Sequence, residues 1–127
     1  MIDSLTVLDT KEIPKGKPLV LVYFSPDCDH CQKLTASILN HMKALKDVRF
    51  YFITCDPFDR LRVFDRYYKI DKYPNIVLGR DYAFFYPNYI NTFNTPYVEV
   101  YDKHKQLRIV FGKGTDATHL IQEINQL

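Results

Sequence analysis

Six consecutive apolar residues, Leu19-Val-Leu-Val-Tyr-Phe24, end at Ser25-Pro26, and from Cys31 onward apolar positions recur three or four apart. That switch of period constrains the fold strongly, because a buried strand must hand over almost directly to an amphipathic helix. A run without alternation is covered on both faces, as inner strands are in sheets flanked by helices. Cys31, Leu34, Ile38, Met42 and Leu45 line one face of a helix expected from Asp29 to Lys46, with Gln32, Lys33 and Lys43 on the other. Val48 to Thr54 reads as the next strand. A helix between the two strands makes them parallel, through a right-handed crossover, so their C-terminal ends share one edge of the sheet.

The alternation continues. Asp56 is expected to cap a helix with Pro57 at its first position; this helix buries Leu61, Phe64 and Tyr68 and ends near Ile70. Ile76 to Gly79 reads as a short strand, Pro87 to Phe93 as one or two helical turns, and Thr6 to Leu8 as a short edge strand. Tyr97 to Tyr101 and Leu107 to Phe111 have the spacing of an antiparallel hairpin around Asp102 to Gln106. Thr115 is expected to cap a last helix with a Leu120, Ile124 and Leu127 stripe. Strands alternating with helices argue an α/β class, and 127 residues suit one domain spanning 1–127.

Charge and hydropathy remove whole classes of function. The 17 basic and 15 acidic residues are spread along the chain, so no basic stripe marks a nucleic-acid surface. The longest apolar run falls far short of the ~20 residues a membrane-spanning helix needs. Met1-Ile-Asp-Ser-Leu5 lacks the basic and apolar regions of a secretory signal. The expected location is therefore the periplasm or cell envelope if a signal segment was removed, and otherwise the cytoplasm.

Cys28-Asp29-His30-Cys31 carries the chemistry. A Cys-x-x-Cys near a β-α-β pattern is a redox motif. Free N–H groups and the dipole at a helix start stabilise negative charge, which lowers the pKa of a thiol placed there. Cys28 is so placed, whereas Cys31 lies one turn deeper on the inward face, which separates an attacking thiol from a resolving one. The gain is large: a thiol of pKa about 8.5 is ~3% thiolate at pH 7, and one of about 6.5 is ~75%. A cationic His30 favours the thiolate of Cys28, and Asp29 opposes it.

Competing uses of the pair fit less well. A zinc knuckle wants four ligands, for which Cys55 and a distant His would have to complete the set. A c-type haem needs His directly after the second Cys, where Gln32 stands. A structural disulfide has no need of a helix N-terminus. No metal and no cofactor are expected.

With these motifs in view, the chain resembles the thioredoxin superfamily from about Gly16 to Leu127. The apolar strand Leu19 to Phe24, the Cys28 to Cys31 motif, and Thr95-Pro96 directly before a C-terminal hairpin stand in the family's order. The resemblance implies a central mixed β-sheet flanked by helices, a cis Thr95–Pro96 bond beside the cysteines, and substrate binding along Thr95 and Pro96 as an added strand. The Gly16-Lys17-Pro18 lead-in and an insertion before the cis-proline strand look like the TlpA-type, extracytoplasmic branch. A His before the second cysteine resembles that of oxidising members. Two departures matter: Val22 stands where the family's buried acid would be, and Leu34 where some TlpA-like reductases carry Glu, so neither position supplies a proton acceptor for Cys31.

The implied activity is thiol-disulfide exchange with protein thiol or disulfide clients and a separate redox partner, by a monomer. Two other readings compete with it. One is a thioredoxin-fold binding module with non-catalytic cysteines. The other is a peroxiredoxin-like peroxidase, whose pattern Ser25 fits three residues before Cys28 but Leu21 does not fit at the proline position. Cys55, at the same sheet edge as Cys28, reads as a small buried hydrophobe rather than a third redox thiol. His41, His104 and His119 read as surface residues. Phe84, Phe85, Tyr86, Tyr89 and Phe93 read as core packing, or as the wall of a groove for an apolar client.

Overall fold

The computed structural model describes residues 16–54, 56–80, 95–112 and 114–127. The expected edge strand at Thr6 to Leu8, Cys55, the insertion before Thr95 and its aromatic run lie outside the described residues.

The continuous apolar run forms β1 (Leu19–Tyr23), buried at all five positions. It is followed by α1 (Asp29–Asn40), α2 (Met42–Leu45), β2 (Arg49–Thr54), α3 (Phe58–Tyr68), a 3-10 turn (Ile70–Lys72), β3 (Ile76–Arg80), β4 (Tyr97–Tyr101), β5 (Leu107–Phe111) and α4 (Ala117–Ile124). The described strands make one mixed sheet in the order β3-β2-β1-β4-β5. β1 runs parallel to β2, and β2 parallel to β3. β4 is antiparallel to both β1 and β5.

Strand alternation sorts the sheet into two faces. Val20, Val22, Phe50, Phe52, Val98 and Val100 face the larger core, where Leu34 and Ile38 of α1, Leu61 and Phe64 of α3 and Leu120 of α4 pack on them. Leu19, Leu21, Tyr23 and Ile53 face the other way, with Tyr51, Tyr97 and Tyr101 against them. Phe24 closes the first core at the end of β1. It lies 5.6 Å from Phe52 edge to face and 4.8 Å from Phe64, centroid to centroid.

Three local expectations are corrected. The helix expected to continue to Lys46 breaks at His41, whose backbone N–H reaches Ser37 and Ile38 while its ring nitrogen lies 2.8 Å from the Ser37 carbonyl. The backbone leaves the helical region there, at φ −111° and ψ 19°. Asp56 does not cap α3; Pro57 holds that position, and the Asp56 carboxylate turns back to accept from Ser25. Thr115 does not cap α4 either: its hydroxyl donates to the Gly112 carbonyl, and Asp116 accepts from the His119 N–H at 3.2 Å. Losing a side-chain N-cap costs about 1 kcal/mol. Asp116→Ala is therefore expected to lower the urea-unfolding free energy by that amount and Thr115→Ala by clearly less; equal effects would return the cap to Thr115.

The C-terminal hairpin is held by Asp102, whose carboxylate accepts the backbone N–H groups of His104 at 2.9 Å and Gln106 at 3.1 Å. Lys105, at φ 64°, makes the left-handed step that the turn needs. On the opposite side Asn75 donates to the carbonyls of Leu45 and Val48 at 3.1 and 2.8 Å, tying the entry of β3 to that of β2. Both devices hold strands in register while lying away from the cysteines.

Candidate redox site

The site stands where β1 leaves the sheet. After Tyr23 the chain passes through Ser25, Pro26 and Asp27, turns with the Cys28 N–H donating to the Ser25 carbonyl at 3.1 Å, and enters α1. Cys28 is the N-cap residue, extended at φ −81° and ψ 121°, and its sulfur accepts from the Cys31 N–H at 3.2 Å. One of the unsatisfied amides at the helix start is thus spent on the sulfur.

Both cysteines are free thiols, Cys28 half-buried and Cys31 buried at 1% exposure. Thr95–Pro96 is a cis peptide, as the resemblance implies. The Thr95 carbonyl lies 3.6 Å from the Cys28 sulfur although the two residues are 67 positions apart. The pairing of Tyr23 with Tyr97 brings them together, since it sets the end of β1 beside the start of β4.

Partial burial pushes the Cys28 thiol up. Hydrogen bonds from the Cys31 thiol, the Thr95 side chain and the backbone amides of Cys31 and His30 outweigh it, and the pKa falls below its ordinary 9.0. Cys31 goes the other way, pushed up to about 12 by burial and then by its hydrogen bond with Cys28. One thiol is thereby readied to ionise and the other held as a protonated donor.

The side chains flanking the cysteines are exposed. Asp29 pairs with Lys33 at 3.1 Å in water, and among the described residues the His30 ring makes no hydrogen bond or ion pair. His30 acts on Cys28 through its backbone. His41, His104 and His119 are exposed, as expected. Among the described residues no three His, Cys, Asp or Glu side chains cluster as a metal site would require.

Sequence reasoning missed the braces around the Cys28 turn. The Ser25 hydroxyl donates to the Asp56 carboxylate at 3.0 Å, and the Gln32 amide donates to the Pro26 carbonyl at 2.9 Å. Asp27 pairs with Arg60 of α3. The signal was present: Ser25 and Asp56 each follow the C-terminal end of a strand, and the two strands are parallel neighbours. A cleft of about 680 Å³ borders this turn, lined by Pro26, Arg60, Val63 and Tyr67 among others. Val63 and Tyr67 are 65% and 77% exposed there.

A thioredoxin-like domain profile matches residues 9–125. The chain belongs to the thioredoxin-like family. No curated protein matches it. Solved structures with this thioredoxin-like fold include a secreted disulfide oxidoreductase of Mycobacterium tuberculosis homologous to E. coli DsbE, at TM-score 0.72 and 20% identity over 89% of this chain and 84% of that one. The exposed lipoprotein thioredoxin of Streptococcus pneumoniae aligns at 0.67 and 17%, covering 89% and 87%. StoA from Bacillus subtilis aligns at 0.63 and 16%, covering 85% and 82%. At these identities the likeness is one of fold.

Proposed function

We propose that this thioredoxin-like chain is a thiol-disulfide oxidoreductase acting on protein clients, with Cys28 attacking and Cys31 resolving. The observation that carries this reading is the Cys31 N–H on the Cys28 sulfur at 3.2 Å, combined with half-exposure of Cys28 and burial of Cys31. A client disulfide reaches only the sulfur that the helix start stabilises as thiolate.

In the reducing direction, the Cys28 thiolate attacks one client sulfur, and the other leaves as a thiolate and takes up a proton. Cys31 then attacks the Cys28 sulfur of the mixed disulfide. The Cys28–client bond breaks, the Cys28–Cys31 disulfide forms, and the proton lost by Cys31 is balanced by the one taken up on the departing client sulfur. The oxidising direction is the reverse. Thr95 and Pro96 open β4 beside Cys28 and offer backbone to an extended client segment. The exposed shelf of Val63 and Tyr67 suits an apolar client residue. A place outside the cytoplasm is supported by the secreted and exposed proteins that share the fold.

Ser25 weakens the peroxidase alternative, because its hydroxyl is engaged by Asp56. The decisive test is the pH dependence of alkylation of the reduced protein. The fast phase, at Cys28, is expected to have its midpoint below 9.0; a midpoint at or above that value removes the activated thiol. The reduction potential of the pair gives the direction, with a value near about −270 mV marking a reductase and one near about −120 mV an oxidant.

A further inference from the structure

Cys28 takes its aim from the three residues before it. Ser25, Pro26, Asp27 and Cys28 form one tight turn, closed by the Cys28 N–H on the Ser25 carbonyl at 3.1 Å. The turn delivers Cys28 to the helix start at φ −81° and ψ 121°, and from there its sulfur meets the Cys31 N–H at 3.2 Å. Pro26 fixes only its own φ. The plane of the Pro26–Asp27 peptide is set by whatever holds the Pro26 carbonyl.

Gln32 holds it. The side-chain amide of this half-buried residue donates to the Pro26 carbonyl at 2.9 Å, and its backbone N–H donates to the Cys28 carbonyl at 2.9 Å. The fourth residue of α1 therefore grips both the approach to Cys28 and Cys28 itself. Its side chain reaches back over the helix start, the direction in which helical side chains lean. The amide faces Pro26 through its nitrogen, because its oxygen in that place would oppose a second carbonyl oxygen.

We infer that Gln32 is a positioning residue for the attacking thiol: through the Pro26 carbonyl its amide fixes the turn from which the Cys28 sulfur is aimed at the Cys31 N–H. This rests on the disulfide-exchange reading above and adds a residue to its first step. The amide is neutral, so it acts on orientation and brings no charge of its own. The titratable and charged groups around the turn keep theirs when a neutral residue replaces it: Asp27, paired with Arg60 of α3, Asp29, paired with Lys33, and His30 and Cys31. From β4 the sulfur meets the uncharged Thr95 carbonyl at 3.6 Å.

Iodoacetamide labelling of the reduced protein across pH, followed on the Cys28 peptide by mass spectrometry, reads how well the turn presents the sulfur to its helix amides. Gln32→Ala, and Gln32→Met, which keeps the length of the side chain and loses the donor, are each expected to raise the labelling midpoint of Cys28 by at least about 0.4 pH unit, the low end for one hydrogen bond. Asp116→Ala, which loosens the start of α4 beside Ser37, is expected to leave the midpoint at the parent value. A smaller rise in either Gln32 variant overturns the assignment, and a loss of stability alone makes Gln32 a structural residue. An equal rise in Asp116→Ala overturns it too, as general loosening. A parent midpoint at or above 9.0 overturns the exchange reading itself, whatever the variants do.

Discussion

Cys28→Ser is expected to lower the rate of disulfide exchange at pH 7 by at least ~10³-fold, while Cys31→Ser retains the first attack and accumulates a mixed disulfide. A thiol with pKa below 9.0 is more than about 1% thiolate at pH 7, whereas one near 12 is about 0.001%. With Cys28 gone, Cys31 keeps its burial, at 1% exposure, and is also out of reach of a folded client. With Cys31 gone, Cys28 loses the thiol that donates to it but keeps the amides of residues 30 and 31. Turnover assays and non-reducing gels with a disulfide-bonded client read both outcomes. Comparable trapping by the two variants would mean that the sulfurs are interchangeable, contrary to the burial difference.

The second large effect is on stability. Phe24→Ala should cost about 3–5 kcal/mol, the usual range for removing a fully buried ring, against a total of about 5–15 kcal/mol for a domain of this kind. Phe24 is 1% exposed and packs on Phe52 and Phe64, joining β1, β2 and α3 directly beneath the turn that carries Cys28. Urea unfolding measures the loss. A cost under about 1 kcal/mol would mean that neighbouring side chains collapse into the space, and so that the junction is not tightly packed.

The legible parts of this chain were those fixed by local pattern. An unbroken apolar run is readable as a doubly covered strand because no polar residue interrupts it, and Leu19 to Tyr23 is buried throughout. The spacing of Cys31, Leu34 and Ile38 is readable as a helix face, and the hairpin as two short β-rich runs around a polar turn. The cis Thr95–Pro96 bond was reached through family resemblance. What escaped was decided mostly by competition between nearby polar groups. Thr115 and Asp116 are adjacent acceptors of similar capping strength, and tertiary geometry chose the second. At His41 the backbone leaves the helical region although the apolar spacing runs on through Met42 and Leu45, and periodicity does not register this. Asp56 has the composition of a cap, but the parallel register of β1 and β2 brings Ser25 within reach first. At the site, the cysteines announced themselves by spacing, whereas the brace around them joins residues 31 apart and has no signature along the chain.

The register that sets Tyr23 beside Tyr97 has a consequence for biosynthesis. As the polypeptide emerges from the ribosome, both cysteines and the helix behind them are exposed long before Thr95 has been translated. Until β4 docks, the sulfur of Cys28 has its helix amides but not its Thr95 neighbour. The site is therefore completed only by the last quarter of the chain, residues 95–127.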